Sequence, residues 1–224
     1  MSLDWEEFIP HLAHDVRALA RRSLTNAQLL ERALDAAAIN TVATHLGAIK
    51  ESQQDLTRLL GRMVLLVEAH SAKEGGEKIQ LNLALLGAKL ESRAALEEVG
   101  GELTISNMLA NCLVPQKTQM VLTEMIDNSL RYRDAERPLR ISIEVEQIEE
   151  VIRIQVADNG SGFNPLYAVK LFEPFQRLDG RRSGAGLGLA ISKGIVEGAG
   201  GHIYWLASDP GATLVLELPV QVSE

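Results

Sequence analysis

Cysteine and aromatic residues are scarce in this chain of 224 residues. Its one cysteine, Cys112, cannot form a disulfide within the chain, which is typical of proteins from a reducing cytoplasm. We interpret Cys112 as a small buried hydrophobic residue. Aromatic residues make up only 4% of the chain and apolar residues 46%, so the core must come mainly from Leu, Ala and Val. This composition favours helix-rich packing over a β-sandwich.

Long apolar runs are also missing. A helix needs about 20 consecutive apolar residues to cross a bilayer, and the longest candidate, Met63 to Val67, is far shorter. The first residues have no signal-peptide pattern. We therefore expect a soluble, cytoplasmic chain without membrane contact. The formal net charge of −8 argues against nucleic acid as a partner, because binding to phosphates needs clustered Lys and Arg.

The first third of the chain has the periodicity of a coiled coil. Residues 4–72 read as two long helices that turn near residues 36–41, and apolar residues in both follow an alternating four-three spacing. Polar residues interrupt this seam at Ser23 and Asn26 in the first helix and at Gln53 in the second. Because two helices alone bury little surface, we expect an antiparallel hairpin that pairs with a second copy into a four-helix bundle. The apolar seam comprises Leu12, Val16, Leu19, Leu30, Leu34, Val42, Leu46, Ile49, Leu56, Leu60, Met63 and Val67.

A polar, glycine-bearing stretch, Ala72 to Glu77, ends the helical pattern and predicts a linker. We expect residues 1–74 to form the dimerisation hairpin and residues 78–224 to form a separate domain. The second part mixes helix and strand, which is typical of an α+β sandwich with helices on one face of a mixed or antiparallel sheet. The predicted helices cover residues 83–99, 116–133 and 187–197, and the predicted strands cover residues 102–105, 141–148, 151–157, 202–207 and 212–218.

Three short motifs occur in this second part in a fixed order. They are E-M-I-D-N-S-L-R-Y-R (Glu124 to Arg133), D-N-G-S-G-F (Asp158 to Phe163) and G-A-G-L-G-L-A-I (Gly184 to Ile191). A carboxylate at the end of a strand, such as Asp158, can accept a hydrogen bond from an adenine amino group. Glycines let the backbone approach a base or wrap phosphates, and the N-terminus of a following helix favours negative charge. Together the motifs indicate a nucleotide pocket.

The order of these motifs resembles the ATPase domain shared by sensor histidine kinases, type II topoisomerases, Hsp90 and mismatch-repair ATPases. The resemblance implies an α/β-sandwich domain that binds Mg-ATP. It assigns Asn128, the asparagine of the first motif, to the magnesium ion that bridges the ATP phosphates. Arg131, one turn later on the same helix face, can reach a phosphate. The other nucleotide-binding residues that we expect are Asp158, Gly160, Gly162, Gly184, Gly186, Leu187 and Gly188.

Glu124 lies four residues before Asn128 and therefore on the same helix face. Many histidine kinases have asparagine at this position, whereas some of their subfamilies and the topoisomerase-like ATPases have glutamate. A carboxylate here can act as a general base on water or support the chemistry of an acceptor histidine. The sequence leaves both catalytic roles open.

Between the second and third motifs, L-F-E-P-F-Q-R-L (Leu171 to Leu178) resembles the phenylalanine box of histidine kinases. Phe172 is either a nucleotide-site residue or a core residue. Residues 176–183 read as a short lid that contains Arg177 and two further arginines. Such arginines would neutralise charge on the transferred phosphoryl group.

The hairpin supplies a candidate phosphoryl acceptor. Histidine kinases carry a histidine on the first hairpin helix, followed by an acidic residue and, two later, an arginine, and A-H-D-V-R (Ala13 to Arg17) matches this pattern. Imidazole is a suitable nucleophile near neutral pH, and Asp15 can orient the His14 ring or accept its proton. His11 is a rival acceptor, although no acid follows it. Leu19 stands where the family usually has proline, which leaves the bend of this helix open.

The resemblance covers nearly the whole chain and implies an ATP-dependent protein histidine kinase. Such a homodimer phosphorylates its own histidine and passes the phosphoryl group to an aspartate of a response-regulator receiver domain. Two alternatives remain: a catalytically inactive phosphotransfer or scaffold dimer, and an ATPase that acts as a conformational switch with Glu124 as its base. We expect the sensor domain to be missing from this chain or to be a separate protein, since no such segment precedes Trp5.

Overall fold

The computed structural model of the chain describes residues 5–35, 39–71, 76–109, 112–162, 170–176, 185–208 and 210–222. The chain forms two compact units, Met1–Leu65 and Leu66–Glu224. No helix in the described part of the chain combines the length and the hydrophobicity that a membrane span requires.

Within these ranges the structure contains five helices and eight strands. The helices are α1 (Trp5–Asp35), α2 (Ile39–Ser71), α3 (Leu81–Glu98), α4 (Thr118–Arg131) and α5 (Gly188–Gly198). The strands are β1 (Lys78–Gln80), β2 (Glu102–Ser106), β3 (Cys112–Pro115), β4 (Arg140–Ile148), β5 (Val151–Asp158), β6 (His202–Ala207), β7 (Ala212–Pro219) and β8 (Gln221–Val222).

The predicted helices are confirmed, with shifts of a few residues at their ends. α2 begins at Ile39, within the range predicted for the turn at residues 36–41, and residues 36–38 lie outside the described residues. α4 begins at Thr118, because Pro115 still belongs to β3 and a two-residue turn follows it.

Polar contacts join α1 to α2 in the predicted helical hairpin. Gln53 Nε2 donates to Ser23 Oγ at 3.0 Å, and His45 Nδ1 lies 3.1 Å from Asn26 Oδ1. The later residue in α1, Asn26, contacts the earlier residue in α2, His45, so the two helices are antiparallel. The residues that interrupt the apolar seam therefore bond across the hairpin and help to fix its register.

The second unit is built around a five-stranded sheet with strand order β2-β4-β5-β7-β6. β2 and β4 are parallel and the other neighbours are antiparallel, so the sheet is mixed, as predicted. Alternate residues of β4 and β5 are buried, such as Ile143 opposite Val156 and Val145 opposite Ile154. Because side chains alternate between the two faces of a strand, these residues form one apolar face, against which α3, α4 and α5 bury their own apolar sides.

A second sheet, with strand order β1-β3-β8, was not predicted. Its strands are two to four residues long, too short for an alternating pattern to be recognised in the sequence. β3 places Cys112 and Val114 in the core, where 6% and 1% of their surfaces are exposed. The interpretation of Cys112 as a buried hydrophobic residue is thus confirmed.

The last turns of α2 pack within the second unit. Leu66 is fully buried and Ala69 is 2% exposed. Ala69 and His70 lie against α5 beside Gly194, where a side chain would leave them no room. The C-terminal end of α2 is therefore part of the core that holds α5 in position.

On the opposite face of the sheet, polar side chains connect β4, β5, β6 and β7. The Arg153 guanidinium lies 3.0 Å from the Glu146 carboxylate and 2.8 Å from that of Glu217, and Tyr204 Oη donates to Glu217 at 2.9 Å. Burial alone would raise the pKa of Glu217, but the hydrogen bonds from Arg153 and Tyr204 outweigh it and hold this pKa below its usual range. The ionised carboxylate therefore stabilises the fold at neutral pH, and this stabilisation is lost as the pH falls through the lowered pKa.

Candidate nucleotide site

The carboxylate of Asp158 is the centre of the candidate site. Asp158 ends β5, and its Oδ1 accepts the backbone N–H groups of Gly160 at 2.9 Å and Ala212 at 3.3 Å. Its other oxygen, Oδ2, accepts the hydroxyl proton of Ser129 at 2.9 Å. One side chain thus connects the end of β5, the turn that follows it, the start of β7 and the helix α4.

The turn after Asp158 is held at both of its sides. Asn159 Oδ1 accepts the backbone N–H of Arg140 at 2.7 Å, and Asn159 Nδ2 donates to the carbonyl of Pro138 at 3.0 Å. Ser161 donates both its backbone N–H and its hydroxyl to the carbonyl oxygen of Tyr132, each at 2.9 Å. Tyr132 caps the C-terminal end of α4. These contacts fix the turn against the helix that carries the first motif.

Two glycines of this turn occupy positions that a side chain could not. A Cβ atom at Gly160 would lie 2.6 Å from the carbonyl oxygen of Tyr132 and 2.9 Å from Asp158 Oδ1. Gly162 has φ +60°, in the left-handed region, and a Cβ there would lie 2.8 Å from the carbonyl oxygen of Gly211. The D-x-G-x-G spacing is therefore a requirement of close backbone packing around the Asp158 carboxylate.

α4 carries three of the predicted site residues on one face. Glu124, Asn128 and Arg131 are spaced by four and three residues, and all three are half-buried. Their carboxylate, amide and guanidinium groups offer oxygen ligands and a positive charge along one line of the helix. This arrangement suits a metal ion next to phosphate groups.

Glu124 also borders a surface groove of about 350 Å³ between α3 and α4. One wall of this groove is fixed by Glu91 of α3, which accepts hydrogen bonds from Gln119 Nε2 at 2.6 Å and from Thr123 Oγ1 at 2.8 Å. The N-terminal half of α4 is thereby held to α3 next to the predicted catalytic carboxylate.

The phenylalanine segment is joined to the glycine loop that precedes α5. The backbone N–H of Phe175 donates to the carbonyl of Gly186 at 2.9 Å, and both residues have positive φ angles, +63° and +67°. A left-handed conformation is costly for a bulky residue and is most often retained at functional sites. Phe172 is half-buried in the same segment. Leu187 is 1% exposed and Gly188 is the first residue of α5.

Part of the predicted lid and of the glycine loop is not among the described residues. Arg177 and Gly184, which we predicted to contact the nucleotide, lie outside the described residues, as do Arg181 and Arg182. Their roles remain predictions.

The predicted acceptor lies on α1, in the first unit. The His14 side chain is 81% exposed, and its Nδ1 lies 3.1 Å from Asp15 Oδ1. The side chain of the rival acceptor, His11, is outside the described residues. The other described site residues all belong to the second unit.

Sequence reasoning missed the partners of Asp158. Ser129 stood in the first motif directly after Asn128, and this position was the only available signal for it. The N–H of Ala212 is a backbone group, which no residue pattern reveals. In the described residues no cluster of His, Cys, Asp and Glu has the make-up of a protein-only metal site.

The fold and the site define a class of protein. A two-layer domain with a half-buried aspartate at a strand end, a glycine turn and an amide-bearing helix is suited to binding a nucleotide, and a helical hairpin precedes it in the chain.

Known proteins are similar to this chain in sequence and in fold. Residues 113–222 match the family described as histidine kinase-, DNA gyrase B-, and HSP90-like ATPase. The chain is 27% identical over 232 residues to the sensor protein TorS of Escherichia coli, a match that covers 96% of this chain and 24% of TorS. It is 28% identical over 230 residues to the sensor protein SrrB of Staphylococcus aureus, covering 96% of this chain and 38% of SrrB.

Among solved structures, the histidine kinase ThkA in complex with the response regulator protein TrrA has the same fold. The TM-score is 0.74 at 19% identity, over 96% of this chain and 61% of the matched chain. This chain spans well under half the length of TorS and SrrB. In sequence and fold it matches a sensor histidine kinase catalytic core, a helical hairpin followed by an ATPase domain.

The packing of Gly160 leads to a test by substitution. Gly160→Ala is expected to weaken ATP binding about tenfold or more, because the new methyl group displaces the Asp158 carboxylate and costs at least one hydrogen bond to the base. Isothermal titration of the full chain with ATP measures this. The matched control is Gly76→Ala, where a Cβ would meet nothing within 4 Å. Unchanged ATP affinity in Gly160→Ala would contradict the assignment of this turn to the nucleotide.

Proposed function

We propose that the chain is an active protein histidine kinase that transfers the γ-phosphoryl group of Mg-ATP to His14 and then to an aspartate of a response-regulator receiver domain. The observation that carries this proposal is the organised Asp158 turn in a domain of the ATPase family, combined with an exposed His14–Asp15 pair on the hairpin.

Recognition of ATP divides between its base and its phosphates. The Asp158 carboxylate accepts a hydrogen bond from the amino group of adenine. The close-packed turn at Gly160 and Gly162 leaves room for the ring. Phosphates lie at the glycine loop and the N-terminus of α5, where backbone N–H groups and the helix dipole favour negative charge. Leu187 caps the N-terminus of that helix, and Gly188 is its first residue. Arg131 and the predicted lid residues supply positive charge.

The residues of α4 fit a magnesium ion. Mg²⁺ prefers oxygen ligands and usually combines one or two protein groups with phosphate oxygens and water. Asn128 would hold it through its amide oxygen, and the ion would neutralise charge on the transferred group.

Asp15 prepares His14 for phosphorylation. When Nδ1–H donates to the Asp15 carboxylate at 3.1 Å, the lone pair of the neutral ring lies on Nε2. Nε2 attacks the γ-phosphorus, a P–N bond forms, and the bond from phosphorus to the bridging oxygen breaks with its electron pair leaving on ADP. Asp15 stabilises the positive charge that develops on the ring. The high exposure of His14 leaves its ring open to an approaching nucleotide domain.

Glu124 supports the proposal in one of two ways. It lies one turn before Asn128 and half-buried, so it can assist the histidine or can direct a water molecule at the phosphate. The second role would make the chain a hydrolytic conformational switch. Loss of catalysis altogether would make it a scaffold dimer.

The proposed partners follow from the hairpin. ThkA was crystallised with a response regulator protein, and we expect a receiver domain to bind this chain at its hairpin. Leu34, Leu46 and Leu60 of the apolar seam are 60%, 46% and 48% exposed. Pairing with a second copy would bury them in a four-helix bundle.

Labelling with γ-labelled ATP and Mg²⁺ tests the kinase proposal. We expect acid-labile, alkali-stable label on the wild-type chain, retained in His11→Ala and lost in both His14→Ala and Asn128→Ala, because these two remove the nucleophile and the metal ligand. Label that survives in His14→Ala would move the acceptor to His11. ATP hydrolysis without label would favour the hydrolytic switch, and absence of ATP binding would favour the scaffold.

Sedimentation equilibrium at micromolar concentration tests the dimer. The wild-type chain is expected to sediment as a dimer. The double variant Leu46→Glu/Leu60→Glu is expected to sediment as a monomer, because pairing would bury two unpaired carboxylates of each chain. Gln54→Glu, which adds a negative charge on α2 away from the seam, should stay dimeric. A monomeric wild-type chain would refute the proposed four-helix bundle.

A further inference from the structure

We propose that Ser129 is a positioning residue that sets the preference of the site for adenine over guanine, through its hydrogen bond to Asp158. This inference rests on the proposed function of the site. Ser129 lies on α4 next to Asn128 and is 3% exposed, and its hydroxyl donates to Asp158 Oδ2 at 2.9 Å.

The lone pairs of Asp158 decide where a base can bind. An ionised carboxylate has about four acceptor sites, two on each oxygen. Oδ1 already accepts two backbone N–H groups, from Gly160 and Ala212. Oδ2 accepts one proton, from Ser129, and keeps one site free among the contacts of the described residues. The amino group of a purine is therefore accepted at Oδ2, on the oxygen that Ser129 holds.

The hydroxyl proton of Ser129 has two acceptors within reach. Asp158 Oδ2 is 2.9 Å away, and the carbonyl oxygen of Met125 is 3.4 Å away. The carboxylate is both closer and charged, and charge-assisted hydrogen bonds are the stronger ones. The proton therefore points to Asp158 Oδ2, which acts as an acceptor in this contact.

This arrangement discriminates between purines. Adenine presents an amino donor to the free site of Oδ2, whereas guanine presents a keto oxygen, which would meet only acceptors. A buried polar group without a partner is costly, so guanine binding is penalised. Without the hydroxyl of Ser129, Oδ2 loses its protein donor. The carboxylate can then turn or take up water that could bridge to a keto oxygen.

Titration of the full chain with ATP and with GTP tests this role. Ser129→Ala should weaken ATP binding about tenfold, the equivalent of one hydrogen bond to a charged group, and should weaken GTP binding much less. The ratio of the two dissociation constants should fall accordingly.

The matched control is Ser92→Ala. Ser92 is 2% exposed on α3, and its hydroxyl has no hydrogen-bond partner among the described residues. This variant removes the same buried hydroxyl without a contact to Asp158, and both dissociation constants should equal those of the wild type.

Two results would overturn the inference alone. One is wild-type affinity for both nucleotides in Ser129→Ala. The other is equal weakening of ATP and GTP, which would mean that Ser129 only supports the fold. A wild-type chain that binds neither nucleotide would instead overturn the proposed function, and the inference with it.

Discussion

The carboxylate of Asp158 is the constraint on which the site depends. A half-buried charge is stable only when its hydrogen bonds are satisfied, and its donors come from α4, from its own turn and from the start of β7. These donors meet only if β5 pairs with β7 in the observed register and α4 packs on the sheet at the observed height. The proposed base-recognition site therefore depends on the folded sheet and on the packing of α4.

Asp158 and His14, the two residues to which we assign the main roles, have opposite surroundings. Recognition of a base requires a fixed geometry and little water, and Asp158, the proposed base-binding residue, contacts two backbone N–H groups and a serine that is 3% exposed. A phosphoryl acceptor requires access, and His14, the proposed acceptor, is 81% exposed beside the Asp15 carboxylate. In this account the nucleotide site has to be rigid where it selects the base. The histidine has to be accessible to the domain that carries the nucleotide.

Much of this molecule could be predicted from its sequence, because its longer elements have strong periodic patterns. The hairpin helices, β4, β5 and α5 all agreed with prediction to within a few residues. The three strands of the small sheet escaped because each is too short to show a period. Ser129 and Ala212 contact Asp158 across 29 and 54 residues of sequence. Only the folded sheet brings such distant groups together, so their roles could not be predicted from local patterns.

Asp158→Asn tests the central claim most directly. The amide oxygen can still accept the N–H groups of Gly160 and Ala212, and its NH₂ group can donate to Ser129, so the fold should keep its thermal transition. The group that faces the amino group of adenine would become a hydrogen-bond donor instead of an acceptor. ATP affinity measured by titration should therefore fall by at least about tenfold. A folded Asp158→Asn chain that binds ATP as tightly as the wild type would show that Asp158 does not recognise the base.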